Sequence, residues 1–423
     1  MLVLIIYIAI FTAAYLIYQM LIGRNAVKQG FNARKTVTFG DESAVTANRT
    51  ASVISVISIF LIWAAFTGSS LTPIHVPGPF VGTTSFAYTA TNSDNQTSEA
   101  TVHINVNYMG ADLEKPEISN NEQTGFAKDD AAKIRAWRSG LIRVQKNDEG
   151  GSEKTYRVTA INGQAIAPKQ SVSVTDGIVN MTAKGTLSFV PYKGWQMESI
   201  WLPAPEDIVK RLVEISRDGY QNVSLSENIG WSLFRVVVGF ALGSLVGIPL
   251  GYAMGLNDWF RGWFDPIVEF MRPIPPLALI PLVIIWFGIW EQGKISLLFL
   301  AALWIMTISS RAGVSGVNIS KVHAAYSLGA SKFQVLTQVI IPNSLPEIFT
   351  GARVAMGVCW GTVVAAELVA AEKGAGKMII AASKFQQTDI VIMGIILIGI
   401  IGFGIDILMR MAENVLVPWK GKG

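Results

Sequence analysis

The chain has 423 residues, of which 51% are hydrophobic and only 15% are charged, and its mean hydropathy is +0.41. Soluble proteins of this size carry about 25% charged residues, so the composition indicates a membrane protein. The net charge of +4 is small, and Lys and Arg do not cluster as a nucleic-acid-binding surface requires. A single cysteine, Cys359, excludes a disulfide within the chain, and the three histidines are too far apart to form a recognisable metal or hydrolase motif.

The N-terminal region predicts two membrane spans joined by a basic loop. Residues 2–22 form an apolar run with no basic segment before it and no small-x-small cleavage site after it, which favours a retained span over a cleaved signal peptide. The connection at 23–50 carries more Lys and Arg than Asp and Glu, and short basic loops beside spans stay in the cytoplasm. Residues 51–68 are therefore expected to return the chain to the outside, as the first helix of the core.

A segment of different character occupies residues 69–195, where long apolar runs are absent. Val102, Ile104 and Val106 alternate with polar residues, as in a half-buried strand, and residues 86–90 precede them as the other arm of a hairpin. The pattern predicts an inserted β-rich domain on the extracytoplasmic side.

The rest of this segment contains shorter alternating runs and one charged stretch. Further alternating runs lie at 155–161, 171–175 and 186–190, and Asn162-Gly163 is typical of a turn. The charged stretch at 110–135 is expected to be helix or loop. The phrase Thr-Ala-Thr-Asn-Ser-Asp resembles Ig-like or cadherin-like modules only weakly.

The region 196–423 predicts an amphipathic helix followed by five spans. For the helix at 203–217, a position at the membrane surface and a place in a soluble domain both fit. The spans are expected at 229–255, 267–290, 294–313, 346–370 and 389–411. Charge places the Trp- and Phe-rich loop 256–266, the loop 314–345 and the basic C-terminus inside, which gives seven spans in all.

One predicted span carries a glycine at every fourth position. Gly239, Gly243, Gly247 and Gly251 fall on one narrow face of a helix, and Gly255 continues the series. Small residues let two helix backbones approach closely in a membrane, where lipid offers no hydrophobic drive for association. This face is therefore predicted to be a helix-packing surface without a role in solute contact.

Candidates for lining a solute pathway come from a broken segment and from ionisable residues inside spans. Arg272, Pro273 and Pro275 interrupt the start of one span, which indicates either irregular backbone beside the pathway or a proline-kinked helix end. Glu367 and nearby Trp360 lie in another span. An intramembrane carboxylate is costly, so Glu367 is expected to line the pathway or to pair with an arginine of a neighbouring helix, and pairing is the favoured alternative.

The stretch Gly374-Ala375-Gly376-Lys377 looks like a phosphate-binding loop but departs from it at both ends. Ala371 stands where the motif needs its first glycine, and Met378 stands where it needs Ser or Thr. No ATP site is therefore predicted in this chain.

The loop 314–345 contains a polar helix–turn–helix pattern that is out of place inside a membrane. Its central residues are His323, Ala324, Ala325, Ser327, Leu328, Gly329, Ala330 and Ser331, and a Val-Ile-Ile-Pro run ends at Pro342. This spacing resembles the coupling loop of ABC importer permeases, on which an ATPase subunit docks. The family usually has Glu where this chain has His323, and Val339 and Ile341 replace its usual Ile and Leu. An ordinary cytoplasmic loop is the alternative.

Several other phrases resemble the taurine type within the nitrate, sulfonate and taurine permease family. They are Trp201-Leu-Pro-Ala-Pro205, Gly247-Ile-Pro-Leu-Gly251, Arg272-Pro-Ile-Pro-Pro-Leu-Ala278, Ile285-Trp-Phe-Gly-Ile289, Ser327-Leu-Gly-Ala-Ser331 and Ala365-Ala-Glu-Leu-Val-Ala-Ala371. The resemblance implies an all-α polytopic bundle of the type I ABC importer permease fold. The first span and the β-rich insertion depart from the usual short permease.

The same resemblance implies the function and the partners. The chain would be the permease of an ATP-driven importer in the bacterial inner membrane, carrying taurine or a related sulfonate, with nitrate, bicarbonate or another small substrate as the alternative. It would act as a homodimer with two cytoplasmic ATPases, which bind ATP and Mg, and with an extracytoplasmic substrate-binding protein. It would hold no cofactor and would not itself be an enzyme. A membrane enzyme would need a convergent nucleophile and base or a set of metal ligands, and the sequence shows neither. A channel or secondary carrier would not need a docking loop.

Overall fold

The computed structural model describes residues 49–108, 111, 114–118, 125–148 and 156–419, together with scattered positions between 5 and 20. The described positions between 5 and 20 are helical, but the predicted span 2–22 and the predicted loop 23–50 lie mostly outside the described residues. The chain divides into two compact units, one ending at Glu206 and the other beginning at Asp207.

The first unit combines an apolar helix with a β domain. Helix α1 (Arg49–Thr67) covers the predicted span 51–68. The strands are β1 (Gly82–Asn92), β2 (Thr97–Asn107), β3 (Asp130–Arg135), β4 (Gly140–Ile142), β5 (Tyr156–Ile161), β6 (Gln164–Ala165), β7 (Ser171–Val174), β8 (Gly177–Met181) and β9 (Leu187–Pro191).

The strands form two sheets around a shared hydrophobic core. One sheet has the order β3-β2-β1-β5-β6 and the other β4-β9-β8-β7. Alternate residues of β1 and β2, among them Tyr88, Val102 and Ile104, are buried, as the period of two requires. The predicted hairpin is confirmed, since β1 and β2 pair antiparallel from Gly82–Val106 to Thr91–Thr97.

The expectation of helix or loop for the whole stretch 110–135 is wrong at its C-terminal end. Strand β3 occupies Asp130–Arg135 and pairs in parallel with β2 at the edge of the sheet. Only Ile134 of this strand is fully buried. An edge strand tolerates charged residues on its exposed side, so its sequence lacks a strong apolar alternation.

The chain enters and leaves the β domain through adjacent segments. The N–H of Trp195 donates to the carbonyl of Pro77 at 2.7 Å, and the N–H of Met197 donates to the carbonyl of Phe66 at 2.9 Å. A Cβ on Gly194 would lie 2.2 Å from the carbonyl oxygen of Gly78. The two ends of the insertion are therefore held together, and the β domain is attached through a narrow neck.

The second unit is helical. Its helices are α2 (Pro205–Asp218), which starts at the end of the first unit, α3 (Leu225–Leu256), α4 (Asp258–Met271), α5 (Ile280–Phe287), α6 (Glu291–Ser315), α7 (Ile319–Ser327), α8 (Lys332–Val335), α9 (Ile341–Ala370), α10 (Ala375–Lys384) and α11 (Thr388–Leu416). Among the described residues, four helical runs are long and apolar enough to cross a membrane, namely α3, α6, the run Lys332–Val369 that contains α9, and α11.

Contacts along these helices define their directions. Cβ atoms on Gly239 and Gly255 of α3 would meet Leu298 and Val314 of α6, so these two helices run parallel. Helix α9 runs the opposite way, because Gly313 near the end of α6 contacts Ser344 near the start of α9. We call the end of the bundle that carries the loop 314–345 the loop end, and the opposite end, where α3 and α6 begin, the far end.

The interruption that the prolines predict within the span 267–290 is present in the structure. Helix α4 ends at Met271, and the next helical segment, Pro276–Phe287, is bent from it by 89°. The prolines cause the break, since Pro273, Pro275 and Pro276 remove backbone donors and restrict the residues before them. The predicted loop 256–266 is instead almost wholly helical, as part of α4.

The glycine series of α3 lies against α6. A Cβ on Gly243 would lie 2.6 Å from the Cβ of Ala302, and one on Gly251 would lie 2.5 Å from the carbonyl oxygen of Thr307. A Cβ on Gly247 would lie 2.7 Å from the carbonyl oxygen of Leu303. No real Cβ approaches backbone so closely, so the two helices pack with their main chains in contact.

Substituting this surface should loosen the bundle. Gly243→Val should lower the free energy of unfolding by about 1–3 kcal/mol, because the added methyl groups overpack the contact with α6. The apparent melting temperature of the detergent-solubilised chain measures this. Gly230→Val is the matched control, since Gly230 is on the same helix but a Cβ there would meet no atom of a neighbouring element within 4 Å. Equal melting temperatures for the two variants would contradict close packing at Gly243.

Candidate functional site

A buried ion pair lies at the far end of the bundle. The Nη1 of Arg235, on α3, donates to Oε1 of Glu367, on α9, at 2.6 Å, and the two side chains are 1% and 0% exposed. Ser232 donates its hydroxyl proton to the same carboxylate, at 2.8 Å to Oε1. A charged pair in so apolar an environment is retained only with such complete partnering.

The second oxygen of Glu367 is held by the segment that looked like a phosphate-binding loop. Gly376 donates its backbone N–H to Oε2 at 2.9 Å, and Ala375 donates to Oγ of Ser232 at 3.0 Å. Gly374 donates to Oδ1 of Asn228 at 2.9 Å. These amides form the start of α10, where the helix dipole favours an anion. The anion bound here is the carboxylate of the chain itself.

Arg235 also reaches a second carboxylate. Its Nε and Nη2 donate to Glu291, at the start of α6, at 2.6 and 2.8 Å. Lys294 donates to the same carboxylate at 2.9 Å. A single guanidinium therefore ties together the far ends of α3, α6 and α9, and its contact with the carbonyl of Lys373 adds the segment before α10.

This cluster forms one wall of an open cavity of about 480 Å³. Glu291 is 39% exposed there, whereas Arg235 and Lys294 are almost covered. The cavity is lined by Trp231, Arg235, Ile289, Trp290, Glu291, Lys294, Val369, Ala371, Glu372 and Lys373. Aromatic rings and charged groups of both signs could contact a small zwitterion, but each lining cation already has a carboxylate partner.

The candidates for a solute pathway lie at different levels of the bundle. Arg272 follows the last residue of α4 near the loop end, where it is 64% exposed, and Pro273 and Pro275 come next in the break. Trp360 is buried in the middle of α9 and donates its Nε1–H to the carbonyl of Ile398 on α11 at 3.0 Å. Glu367 lies at the far end. Pairing, the alternative favoured for Glu367, is what its contacts show.

The predicted helix–turn–helix is present at the loop end. Helix α7 (Ile319–Ser327) contains His323, Ala324 and Ala325, and α8 (Lys332–Val335) follows a turn through Leu328, Gly329 and Ala330. Gly329 has φ of +82°, a left-handed conformation in which glycine avoids strain. Ser331 forms a capping box with Gln334, which fixes the start of α8.

The surface of this turn is unusually apolar. Leu328 is 88% exposed and Phe333 is 72% exposed, and Tyr326 is exposed by nearly half. The remainder of the loop is anchored, because Lys321 donates to Oδ1 of Asn343 at 2.7 Å and Asn318 caps α7. The loop thus presents exposed apolar side chains on a well-fixed backbone, which is typical of a docking surface.

Sequence reasoning did not identify Glu291, Lys294 or Ser232 as members of the far-end cluster. Ser232 carries no charge, and the other two stand at a span boundary, where charged residues are ordinary. Arg235 and Glu367 carry charges of opposite sign inside apolar segments, and this was the sequence feature that could have predicted their ion pair. Within the described ranges, no group of His, Cys, Asp and Glu side chains is arranged to hold a metal ion.

Removing the charge of Glu367 should destabilise the bundle. Glu367→Gln should cost about 3–5 kcal/mol of unfolding free energy, because the buried guanidinium loses a charged partner. The apparent melting temperature of the detergent-solubilised chain measures this loss of stability, and Glu269→Gln is the control. Glu269 is 50% exposed and pairs with Arg311 at 3.3 Å, so its loss should cost less than about 1 kcal/mol. An equal effect of the two substitutions would contradict a structural role for the Arg235–Glu367 pair.

Comparison with known proteins assigns the family. The family described as "Binding-protein-dependent transport system inner membrane component" matches residues 243–415. The taurine transport system permease protein TauC of Escherichia coli is 42% identical over 245 residues, which cover 56% of this chain and 89% of TauC.

Two further relatives are more distant. The aliphatic sulfonates transport permease protein SsuC of Escherichia coli is 35% identical over 54% of this chain and 84% of SsuC. The nitrate import permease protein NrtB of a Synechocystis species is 30% identical over 54% of this chain and 86% of NrtB. The chain therefore belongs to the binding-protein-dependent transport system inner membrane components, the multi-pass permease subunits of ABC importers, which transport solutes and are not enzymes.

Proposed function

We propose that the chain is the permease of an importer for taurine or a related sulfonate. The similarity to TauC, which extends over 89% of that protein, carries this proposal. Similarity to SsuC favours the same substrate class. Similarity to NrtB favours nitrate as the second candidate.

The loop end would be cytoplasmic and the far end extracytoplasmic. Lys321 and Lys332 of the loop and Arg410 near the end of α11 support this orientation, since basic residues are retained inside. A chain that enters the bundle from the outside would run in this order, since α3 and α6 run toward the loop end and α9 runs away from it. Helix α11 returns to the loop end, where Trp419 donates its Nε1–H to the carbonyl of Pro342 at 3.1 Å. In a bacterial inner membrane, the 480 Å³ cavity would then face the outside, and α2 would lie at that surface. An extracytoplasmic location of the β domain is part of the same proposal.

The helix–turn–helix would be the docking site for an ATPase. Leu328 is almost fully exposed at its tip, and the capping box keeps the neighbouring backbone rigid. Two copies of the chain would assemble with two ATPases, each receiving one loop. Closure of the ATPase dimer would then move the two loops together as levers between two states.

ATP and Mg would be bound by the ATPase and not by this chain. The amides of Gly374, Ala375 and Gly376 donate to Asn228, Ser232 and Glu367, so they are not free to hold a phosphate. An importer of this kind also needs an extracytoplasmic binding protein, which would deliver the solute to the far end.

Uptake by reconstituted vesicles tests both the substrate and the docking surface. With the cognate ATPase and binding protein, labelled taurine should accumulate in an ATP-dependent manner, and excess alkanesulfonate should compete with it. Leu328→Asp should abolish uptake and ATPase copurification, because a charge replaces an apolar contact at the interface. Insertion of the permease should be unchanged.

Phe385→Asp is the matched control for Leu328→Asp. Phe385 is 66% exposed but follows α10 at the far end, so its substitution should leave ATPase copurification intact. Wild-type ATPase binding by Leu328→Asp would rule out docking at this turn. ATP-dependent uptake of nitrate without uptake of taurine or sulfonates would replace the proposed substrate with the second candidate.

The β domain would contact the binding protein and would not form part of the pathway. Its hydrophobic core is self-contained, and its two ends meet at the hydrogen-bonded neck. Replacing residues 72–194 with a short Gly-Ser bridge should therefore preserve membrane insertion and ATPase binding. Taurine uptake should fall at low concentrations of binding protein and recover as that concentration rises.

Two other outcomes of this deletion would change the role proposed for the β domain. Loss of ATPase binding would make the β domain part of the structural core of the transporter. Unchanged uptake at every concentration of binding protein would make it a passive insertion.

A further inference from the structure

Helix α4 has one aromatic face and one charged face. Trp259, Trp263 and Phe270 are 63%, 61% and 71% exposed, and Ile267 shares their side of the helix. Arg261, Asp265 and Glu269 lie on the opposite side. The only fully buried residue of this helix is Val268. So large an exposed aromatic face requires a partner.

The charged face is fixed to the loop end of α6. Arg311 forms ion pairs with both Asp265 and Glu269, the second at 3.3 Å. These two carboxylates are one helical turn apart on α4, yet both contact one guanidinium. Helices α4 and α6 also approach each other over a short stretch only, whereas α3 follows α6 along its length, so α4 crosses α6 near Arg311 and does not run along it.

Both ends of α4 agree with this placement. Asn257 follows the last residue of α3 and donates its backbone N–H to the carbonyl of Ala253. Its side-chain Oδ1 accepts the N–H of Trp259 and so caps α4. Helix α4 therefore begins at the loop end, where α3 ends. The return to the far end occurs later, because Val283 packs against Leu297 and Gly293 near the start of α6. Leu297 and Arg311 are separated by about 21 Å along α6. The chain therefore covers this distance in the residues that follow α4, between Met271 and Val283.

We infer that α4 lies in the plane of the bilayer at its loop-end surface, with the aromatic face among the lipid chains. The helix that leads into α4 also carries exposed apolar side chains that suit a lipid surface, since Leu245 of α3 is 71% exposed and Leu256, just before α4, is 49% exposed. Trp and Phe are typical of the boundary between headgroups and acyl chains. The inference depends on the family assignment and holds whichever solute is carried.

The charge pattern identifies the kind of lipid contact. The segment from Asp258 to Arg272 carries two arginines and three acidic residues, a net charge of −1, so it has no excess of positive charge for anionic headgroups. Binding by this helix therefore comes from burial of apolar surface and not from attraction to anionic headgroups. A membrane without anionic lipid should hold it equally well.

Spin labels on single cysteines can measure this geometry. In a Cys359→Ser background, which removes the only cysteine, labels would be placed by Trp263→Cys and Phe270→Cys in phosphatidylcholine vesicles. Collision with oxygen and with a water-soluble nickel chelate gives the depth of each label. Both should be accessible to oxygen, shielded from nickel, and equally deep. An upright helix would instead separate residues seven apart by about 10 Å of depth.

The controls lie on the same and on a neighbouring helix. Arg261→Cys on the charged face should be accessible to nickel, and Leu245→Cys on α3 should report lipid. Ile267→Cys replaces either aromatic variant if that variant does not fold. Adding phosphatidylglycerol should leave all depths unchanged.

Three results would overturn the inference. A depth difference near 10 Å between positions 263 and 270 would mean that α4 spans the membrane. Protection of both positions from oxygen and nickel would mean that protein, such as a second copy of the chain, covers the aromatic face. Depths that require phosphatidylglycerol would mean that headgroup charge holds the helix.

Discussion

The contact between the backbones of α3 and α6 determines how the rest of the bundle is arranged. Leu298, Ala302, Met306, Ser310 and Val314 meet successive glycines of α3, always 59 positions earlier in the chain. That constant offset makes the two helices parallel. The chain between them must therefore return from the loop end to the far end, and the bent segment made by α4 and α5 is the result. The starts of α3 and α6 also become neighbours, which brings Arg235 to Glu291.

The glycine series alone does not fix the position of one helix along the other. A shift of one turn, about 6 Å, would still oppose a glycine to four of these five residues of α6. Arg235 removes this ambiguity, because its ion pairs with Glu367 and Glu291 form in one register only. A buried polar group that specifies register at some cost in stability is well known in coiled coils. Here the polar cluster sets the register of α3 along α6, and the glycines set the distance between the two helices.

The sequence predicts those features that depend on local spacing. Alternation at Val102 to Val106 identifies a strand, the four-residue glycine repeat identifies a packing face, and Gly329 identifies a turn. It does not show that α4 is helical, because its aromatic residues resemble an interfacial loop. It also misses β3, since an edge strand needs few apolar residues. The partners of Glu367 come from two other segments, α3 and the start of α10, and no local pattern contains the offset that joins them.

In the proposed importer, the exposed tip of the loop links the stability of this chain to the supply of its ATPase. Leu328 and Phe333 remain in water when the chain is alone. A partner that binds only the folded chain stabilises it in proportion to the logarithm of the partner's concentration. An excess of permease over ATPase would therefore be the less stable population and the first to be degraded. Balanced amounts of the two subunits could thus arise from proteolysis alone, without matched rates of synthesis.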